Sequence, residues 1–242
     1  MQRKIQQTMR HGITKLRYLF MVIAMFGFVI LLSGKASSRT VENDEVPSRP
    51  QQIEEHYQRA KVRTSDLENG VTAVIGKIYI NASAKNIWAA ITDYNNQKHF
   101  VPKLIDSGLI SDNGREQVMF EKGKTGYLFF KKTVYIKLSI RGDYPQRLSF
   151  RQIEGDFKIY EGDWLIDRAP DGKGFVLTFQ AKIKPNFFAP PMFVRKVQEH
   201  DLPMVLTAMK KRAESAESSL RASRASSQKK FPPPSGNSII AE

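Results

Sequence analysis

The stretch YLFFKKTVYIKLSIR, Tyr127 to Arg141, decides the fold. Leu128, Phe130, Val134, Ile136, Leu138 and Ile140 fall on one side of an extended chain, and Tyr127, Lys131, Thr133, Tyr135, Lys137 and Arg141 on the other. That period of two describes a strand with one buried and one wet face. Phe175, Leu177, Phe179, Ala181 and Ile183 repeat it. Between Leu104 and Lys184, turn-forming groups occur at Asp112-Asn113-Gly114, Asp143-Tyr144-Pro145, Glu154-Gly155-Asp156 and Asp171-Gly172-Lys173-Gly174. Gaps of hairpin length make neighbouring strands antiparallel.

Upstream, Lys61–Ser65 and Val71–Ile80 flank Asn69-Gly70, a hairpin-type pair. The period then changes: Ser83 fits a helix N-cap, and Ile87, Trp88, Ile91 and Tyr94 follow at helical spacing. A second short helical piece closes at His99-Phe100-Val101-Pro102. Downstream of Pro185 a long helix carries an apolar stripe of Val194, Val197, Leu202, Val205, Leu206 and Met209, which Pro203 is expected to kink or restart. A sheet with one apolar face needs a cover, and this helix is the element large enough to provide it.

The chain has 242 residues and a formal charge of +14, which raises the question of nucleic acid. The excess sits at the ends. Residues 1–40 carry seven Lys or Arg and no acid, residues 205–242 carry seven against three acids, and the remainder is nearly balanced at 24 against 21. A nucleic-acid surface concentrates its charge on the fold, so that class is set aside. With no cysteine there is no disulfide framework, thiolate site or cysteine nucleophile. His11, His56, His99 and His200 show no ligand spacing, so neither a metal nor another cofactor is expected.

At the N-terminus, Arg3, Lys4, Arg10, Lys15 and Arg17 precede the apolar run Tyr18–Leu32, which ends in Ser33-Gly34-Lys35-Ala36. This is the layout of an export signal, either cleaved near Ala36 or kept as a membrane anchor. In both cases the basic flank stays in the cytoplasm and the rest is exported, facing the extracytoplasmic side of the membrane or free in a periplasm. The expected organisation is a signal or anchor over 1–36, a linker over 37–60, one domain over 61–217 and a disordered basic tail over 218–242.

The element order and several local strings resemble the START-like superfamily that includes polyketide cyclase/dehydrase and coenzyme Q-binding proteins. The strings are Asn81-Ala82-Ser83, Ile87-Trp88, Asp93-Tyr94-Asn95-Asn96, Phe100-Val101-Pro102, Glu161-Gly162-Asp163-Trp164-Leu165, Asp201-Leu202-Pro203 and Arg212-Ala213-Glu214. The resemblance implies an α+β helix-grip fold, in which a curved antiparallel sheet wraps a long C-terminal helix with two short helices after the first strands. It also implies a cavity for a lipid, quinone or polyketide-like ligand. The residues assigned to that cavity are Trp88, Phe100, Phe120, Phe130, Ile136, Phe150, Trp164, Phe179, Phe188, Met192, Val197, Val205 and Met209.

Plain core packing is the stronger reading of Trp88, whereas Trp164 suits core and cavity equally. Phe187, Phe188, Met192 and Phe193 beside two prolines suit core contact or a gate or membrane-touching tip. Asp93, His99, Glu121, Glu154, Glu161, Asp163 and His200 can each act as a general base in principle, and none is singled out. His200 and Asp201, as neighbours on a helix, point about 100° apart and are expected at the surface. Lys210-Lys211-Arg212 reads as a solvated helix face. A carrier of a hydrophobic small molecule is therefore expected. The alternatives are a cyclase or dehydratase using a cavity carboxylate or histidine, and a membrane-tethered interaction module without ligand.

Overall fold

In the computed structural model, residues 58–127 and 130–230 are described, the side chains of 127–130 and 228–230 excepted. Tyr18–Leu32, most of the 37–60 linker, the side chain of Phe130 and the chain after Lys230 lie outside them. Among the described residues no helix is long and apolar enough to cross a membrane.

The strands are β1 (Lys61–Asp66), β2 (Thr72–Ile80), β3 (Leu104–Asp112), β4 (Gln117–Tyr127), β5 (Phe130–Asp143), β6 (Arg147–Gly155), β7 (Phe157–Arg168) and β8 (Phe175–Pro185). They form one open antiparallel sheet in the order β1-β2-β8-β7-β6-β5-β4-β3. Helix α1 (Ala84–Ile91) and helix α2 (Gln97–Phe100) connect β2 to β3, and helix α3 (Pro191–Lys230) follows β8. Ser83 caps α1 by accepting a hydrogen bond from the Asn86 amide at 3.4 Å. The alternation in β5 is as expected: Ile136, Leu138 and Ile140 are buried, while Lys131 and Thr133 are exposed. Ile136 lies opposite Glu121 and Leu138 opposite Met119, so these side chains share the concave face.

The apolar stripe of α3 packs into that face. Leu202, Leu206, Met209 and Ala213 are buried there with Val74, Ile78, Leu177 and Phe179 of the sheet. Gly76 permits the close approach, because a Cβ at this position would stand 2.7 Å from Leu202 Cδ2 and 2.8 Å from Leu206 Cδ1. Polar ties fix the second half of the helix. Glu214 accepts from the Asn81 amide at 2.8 Å, Glu217 accepts from the Ser83 amide at 3.0 Å and from Asn86 Nδ2 at 2.7 Å, and Arg212 pairs with Asp93 at 2.9 Å.

Helix α3 is continuous at Pro203, so of the kink or restart expected there no restart occurs, although the proline removes the amide that would have bonded the Glu199 carbonyl. Three other expectations about this helix are corrected. It continues past Ser218 to Lys230, where Glu217 pairs with Arg221 and the Ser223, Ser226 and Ser227 hydroxyls bond back to carbonyls of the preceding turn. Of the run expected to be a solvated face, Lys211 and Arg212 are exposed as expected and Lys210 is half-buried. Lys210 donates to the Tyr79 carbonyl at 2.9 Å, and the Arg212 guanidinium lies over Phe100 at 5.3 Å. Finally, His200 Nδ1 and Asp201 Oδ1 do meet, at 2.7 Å, because side-chain torsions close the angle that their Cα–Cβ directions leave open.

Gly76→Val tests the grip. Overpacking of this kind costs about 1–3 kcal/mol, so calorimetry should show a melting temperature lower by several degrees with the transition still cooperative. An unchanged melting temperature would show that the helix does not press on β2.

Candidate functional site

Between the N-terminal half of α3 and the sheet lies a cavity of about 200 Å³. Its floor is aromatic, because inward positions of adjacent strands stand opposite each other: Trp164 opposite Phe179, and Phe150 opposite Gly162. The rings run in series. Trp164 and Phe179 are 4.7 Å apart between centroids, Phe179 and Phe150 5.6 Å, Phe150 and Tyr160 5.5 Å, and Tyr160 and Phe157 5.2 Å. Gly162 leaves a gap in this row, and a side chain there is impossible because its Cβ would fall 2.0 Å from the Gln180 carbonyl oxygen. Leu202, Met204, Val205 and Met209 of α3 form the roof, and Met119, Leu138, Ile140 and Leu148 a side wall. Exposed Pro102, Lys103 and Lys124 mark where the cavity reaches solvent, and Lys103 pairs with Asp201 of α3 there.

Of the two carboxyls that line the cavity, Asp201 is paired with Lys103 at the mouth and Glu121 enters the apolar space. Glu121 projects from β4 between the inward-facing Met119 and Gly123, and among the described residues no hydrogen bond or ion pair reaches it. It is half-buried by exposure, yet protein surrounds it closely enough that desolvation pushes its pKa up to about 7. Tyr160 is raised above the ordinary phenol value by burial first and by the Glu121 charge second. Tyr94 is raised by burial, then by Asp112 and Glu121, and it donates to Gln117 Oε1 at 3.1 Å. The other polar liner nearby, Gln97, is engaged with the Ile91 carbonyl at 3.0 Å. Glu121 is thus the polar group left for something in the cavity to answer.

Of the residues assigned from sequence, the cavity brings together Phe150, Trp164, Phe179, Val205 and Met209. Apart from Phe130, whose side chain is not among those described, the others stand elsewhere for identifiable reasons. Phe120 is one residue out of phase with Met119 and Glu121, so it points to the convex face and stacks on Tyr135 at 6.4 Å. Trp88 is rotated away from the inward side of α1 and meets Tyr144 edge-on at 5.3 Å. Phe100 lies beneath Arg212, while Ile136 and Val197 are buried without lining the cavity. Phe188 and Met192 are on the outer surface.

The catalytic candidates separate as clearly. Burial opposes charge on Asp163, but hydrogen bonds from Arg147, Ser149 and Gln180 outweigh it and hold the carboxyl below its usual range. Asp93 is occupied by Arg212 and Asn96, and Glu154 pairs with Lys137. His200 is largely exposed. His99 and Glu161 do not line the cavity. No group of acidic or histidine side chains suited to a metal occurs among the described residues. Sequence reasoning named Glu121 without distinguishing it. Its inward phase beside Met119, opposite Ile136, was the available signal.

Comparison with known proteins agrees with this arrangement of sheet, helix and cavity. Residues 80–210 match the family model described as polyketide cyclase/dehydrase and lipid transport, and the chain belongs to that family. The fold is shared with an aromatase/cyclase (Zhui) of Streptomyces sp. R1128, at 14% identity and a TM-score of 0.52 over 60% of this chain and 94% of that one. It is shared as well with a STAR-related lipid transfer protein of Xanthomonas axonopodis, at 16% identity and a TM-score of 0.50 over 65% and 94%. A protein of Thermus thermophilus aligns over 60% of this chain and 98% of its own, with 20% identity and a TM-score of 0.51. No match was found among curated proteins. At these identities the solved structures speak for the helix-grip fold alone.

Glu121 carries a pH signature. Its folded carboxyl holds a proton more tightly than the unfolded one, so the stability it contributes at low pH is lost as pH rises from the ordinary value of 4.5 to about 7. Above pH 7 the buried charge costs about 1–3 kcal/mol. Glu121→Gln should therefore gain several degrees of melting temperature over the parent between pH 5 and pH 8. Parallel profiles would show that Glu121 titrates as an ordinary surface carboxyl.

Proposed function

We propose that this domain binds and carries a hydrophobic small molecule whose apolar body lies on the Trp164–Phe179–Phe150–Tyr160 floor and whose polar group meets Glu121. The carrying observation is the pairing of an apolar cavity with one carboxyl that no described residue satisfies. Burial supplies the affinity, at about 25 cal/mol per Å² of apolar ligand surface. A protonated Glu121 can donate a hydrogen bond to a ligand carbonyl or ether and accept one from a hydroxyl. Ligand cavities commonly span about 300–1,000 Å³, so a cavity of about 200 Å³ holds a compact molecule or one end of a chain until α3 moves. The family, spanning polyketide cyclases, dehydrases and lipid transport, supports a greasy ligand and leaves its identity open.

A second reading is favoured by the same carboxyl. With a pKa of about 7, Glu121 is poised to move a proton, as a cyclase or dehydratase requires. We also propose that the apolar run Tyr18–Leu32, with its basic flank, acts as an export signal or anchor, which suits a carrier that meets its ligand at a membrane.

Native mass spectrometry of full-length protein purified from its own membranes, followed by organic extraction, separates the readings. A carrier yields a co-purifying apolar compound, unchanged in mass and retained by Glu121→Gln, but lost from Val205→Trp, which fills the cavity. An enzyme instead converts a polyketide-like substrate, and Glu121→Gln lowers turnover by about 100-fold or more. A protein empty from every preparation, with Val205→Trp indistinguishable from the parent, contradicts both.

A further inference from the structure

Where β8 passes into α3 the chain carries an exposed apolar tip: Phe188 in the connection is 89% exposed, and Met192 in the first turn of α3 is 54% exposed. Large side chains this exposed on a tip flanked by prolines lose favourable burial unless a partner supplies it. Beside the tip, the Lys132 ammonium stands over the Phe187 ring at 4.3 Å. Exposed Lys124 and Lys131 line the same basic groove as Lys132 and the cavity-mouth residue Lys103. The acids nearby are committed. Asp201 pairs with Lys103, Asp156 accepts from the Tyr135 amide at 2.9 Å, and Glu199 is held by Lys196 and Thr64.

From this geometry we propose that the Phe188–Met192 tip and the Lys124, Lys131 and Lys132 cluster form a docking face for an anionic lipid bilayer. The face is distinct from the N-terminal apolar run. Three features select a bilayer. Phe188 is almost fully exposed, so it can enter a deformable layer directly. Its apolar side chains sit beside a lysine cluster, which matches a hydrocarbon layer beneath anionic headgroups. The face also joins the cavity twice. Lys103 and Lys124 border both the cavity and the groove, and Phe187 continues the aromatic floor, 6.4 Å from Phe157. Docking in this way sets the cavity mouth at the headgroup layer. The proposal relies on the carrier reading for its purpose, while the docking itself is measurable without any ligand.

The chain contains no cysteine, so a single reporter can be placed in the full-length protein. Met192→Cys, which keeps Phe188, would be labelled with an environment-sensitive fluorophore and mixed with vesicles of phosphatidylcholine alone or with phosphatidylglycerol. Arg115→Cys is the control: it is exposed at the opposite end of β4 from Lys124, roughly 25–30 Å away. The probe at 192 should shift to the blue and be quenched by lipid-borne quenchers on anionic vesicles, and the probe at 115 should not. Each lysine at such a surface is worth roughly fivefold in affinity. Lys131→Glu with Lys132→Glu, neither of which lines the cavity, should thus reduce insertion at 192 at least tenfold, with the circular dichroism spectrum and ligand content unchanged. A probe at 192 that stays in water while the protein sediments with anionic vesicles would assign all binding to the N-terminal run and overturn the proposal. Equal insertion into neutral vesicles would overturn the role of the lysines, and insertion at both positions would mean non-specific adsorption. A tip that self-associates in the absence of vesicles would make a second copy its partner, and that too contradicts the proposal.

Discussion

Everything in this domain depends on one packing contact, the seating of α3 on the concave face of the sheet, where Ile87 and Ile91 of α1 join the same core. An antiparallel sheet with Val74, Ile78, Leu177 and Phe179 on one side cannot leave that side in water. Leu202 and Leu206 close it over Gly76. The same contact defines the cavity, since the space left unfilled beyond the Gly76 contact is bounded above by Leu202, Met204, Val205 and Met209. Cover and binding site are therefore one element, and anything that moves the helix changes both.

The helix is held unevenly. Its second half is tied to α1 and the loops on either side of it through Glu214, Glu217 and Arg212, two of these bonds coming from backbone amides. Over the cavity the fastening is weaker. Asp201 to Lys103 and Arg195 to Asp66 are partly exposed ion pairs, each worth about 0–1 kcal/mol. Pro203 also removes one helix hydrogen bond there. The half of the helix with more polar ties therefore lies away from the mouth, and the half held mainly by apolar packing lies beside the basic groove and the Phe188 tip.

Much of this was legible in the sequence because period and turn chemistry are local. The alternation around Ile136 and Leu138, the Ser83 cap and the stripe from Val194 to Met209 each follow from spacing, and together they specify the sheet and its cover. What was not legible depends on which neighbours a residue meets across the chain. Lys210 looks solvated until the Tyr79 carbonyl is brought beside it, and the exposed Arg212 gains Asp93 and Phe100 as partners that spacing does not reveal. His200 and Asp201 meet through torsions that helical geometry alone does not specify. The cavity was half legible. Trp164, Phe179 and Phe150 stand out as large inward residues, but Phe120 shows that one position of phase exchanges floor for outer surface, and Glu121 is special only because nothing answers it.

The most direct test of the account is to find where an apolar ligand sits. A small hydrophobic probe bearing a diazirine would be equilibrated with the full-length protein, photolysed and mapped by tandem mass spectrometry. Adducts should fall on Met119, Leu138, Phe150, Trp164, Val205 and Met209, and Val205→Trp should suppress them. Adducts confined to exterior residues such as Phe188 and Ile110, with none on the floor or roof, would contradict the claim that the helix grips the sheet around a binding cavity.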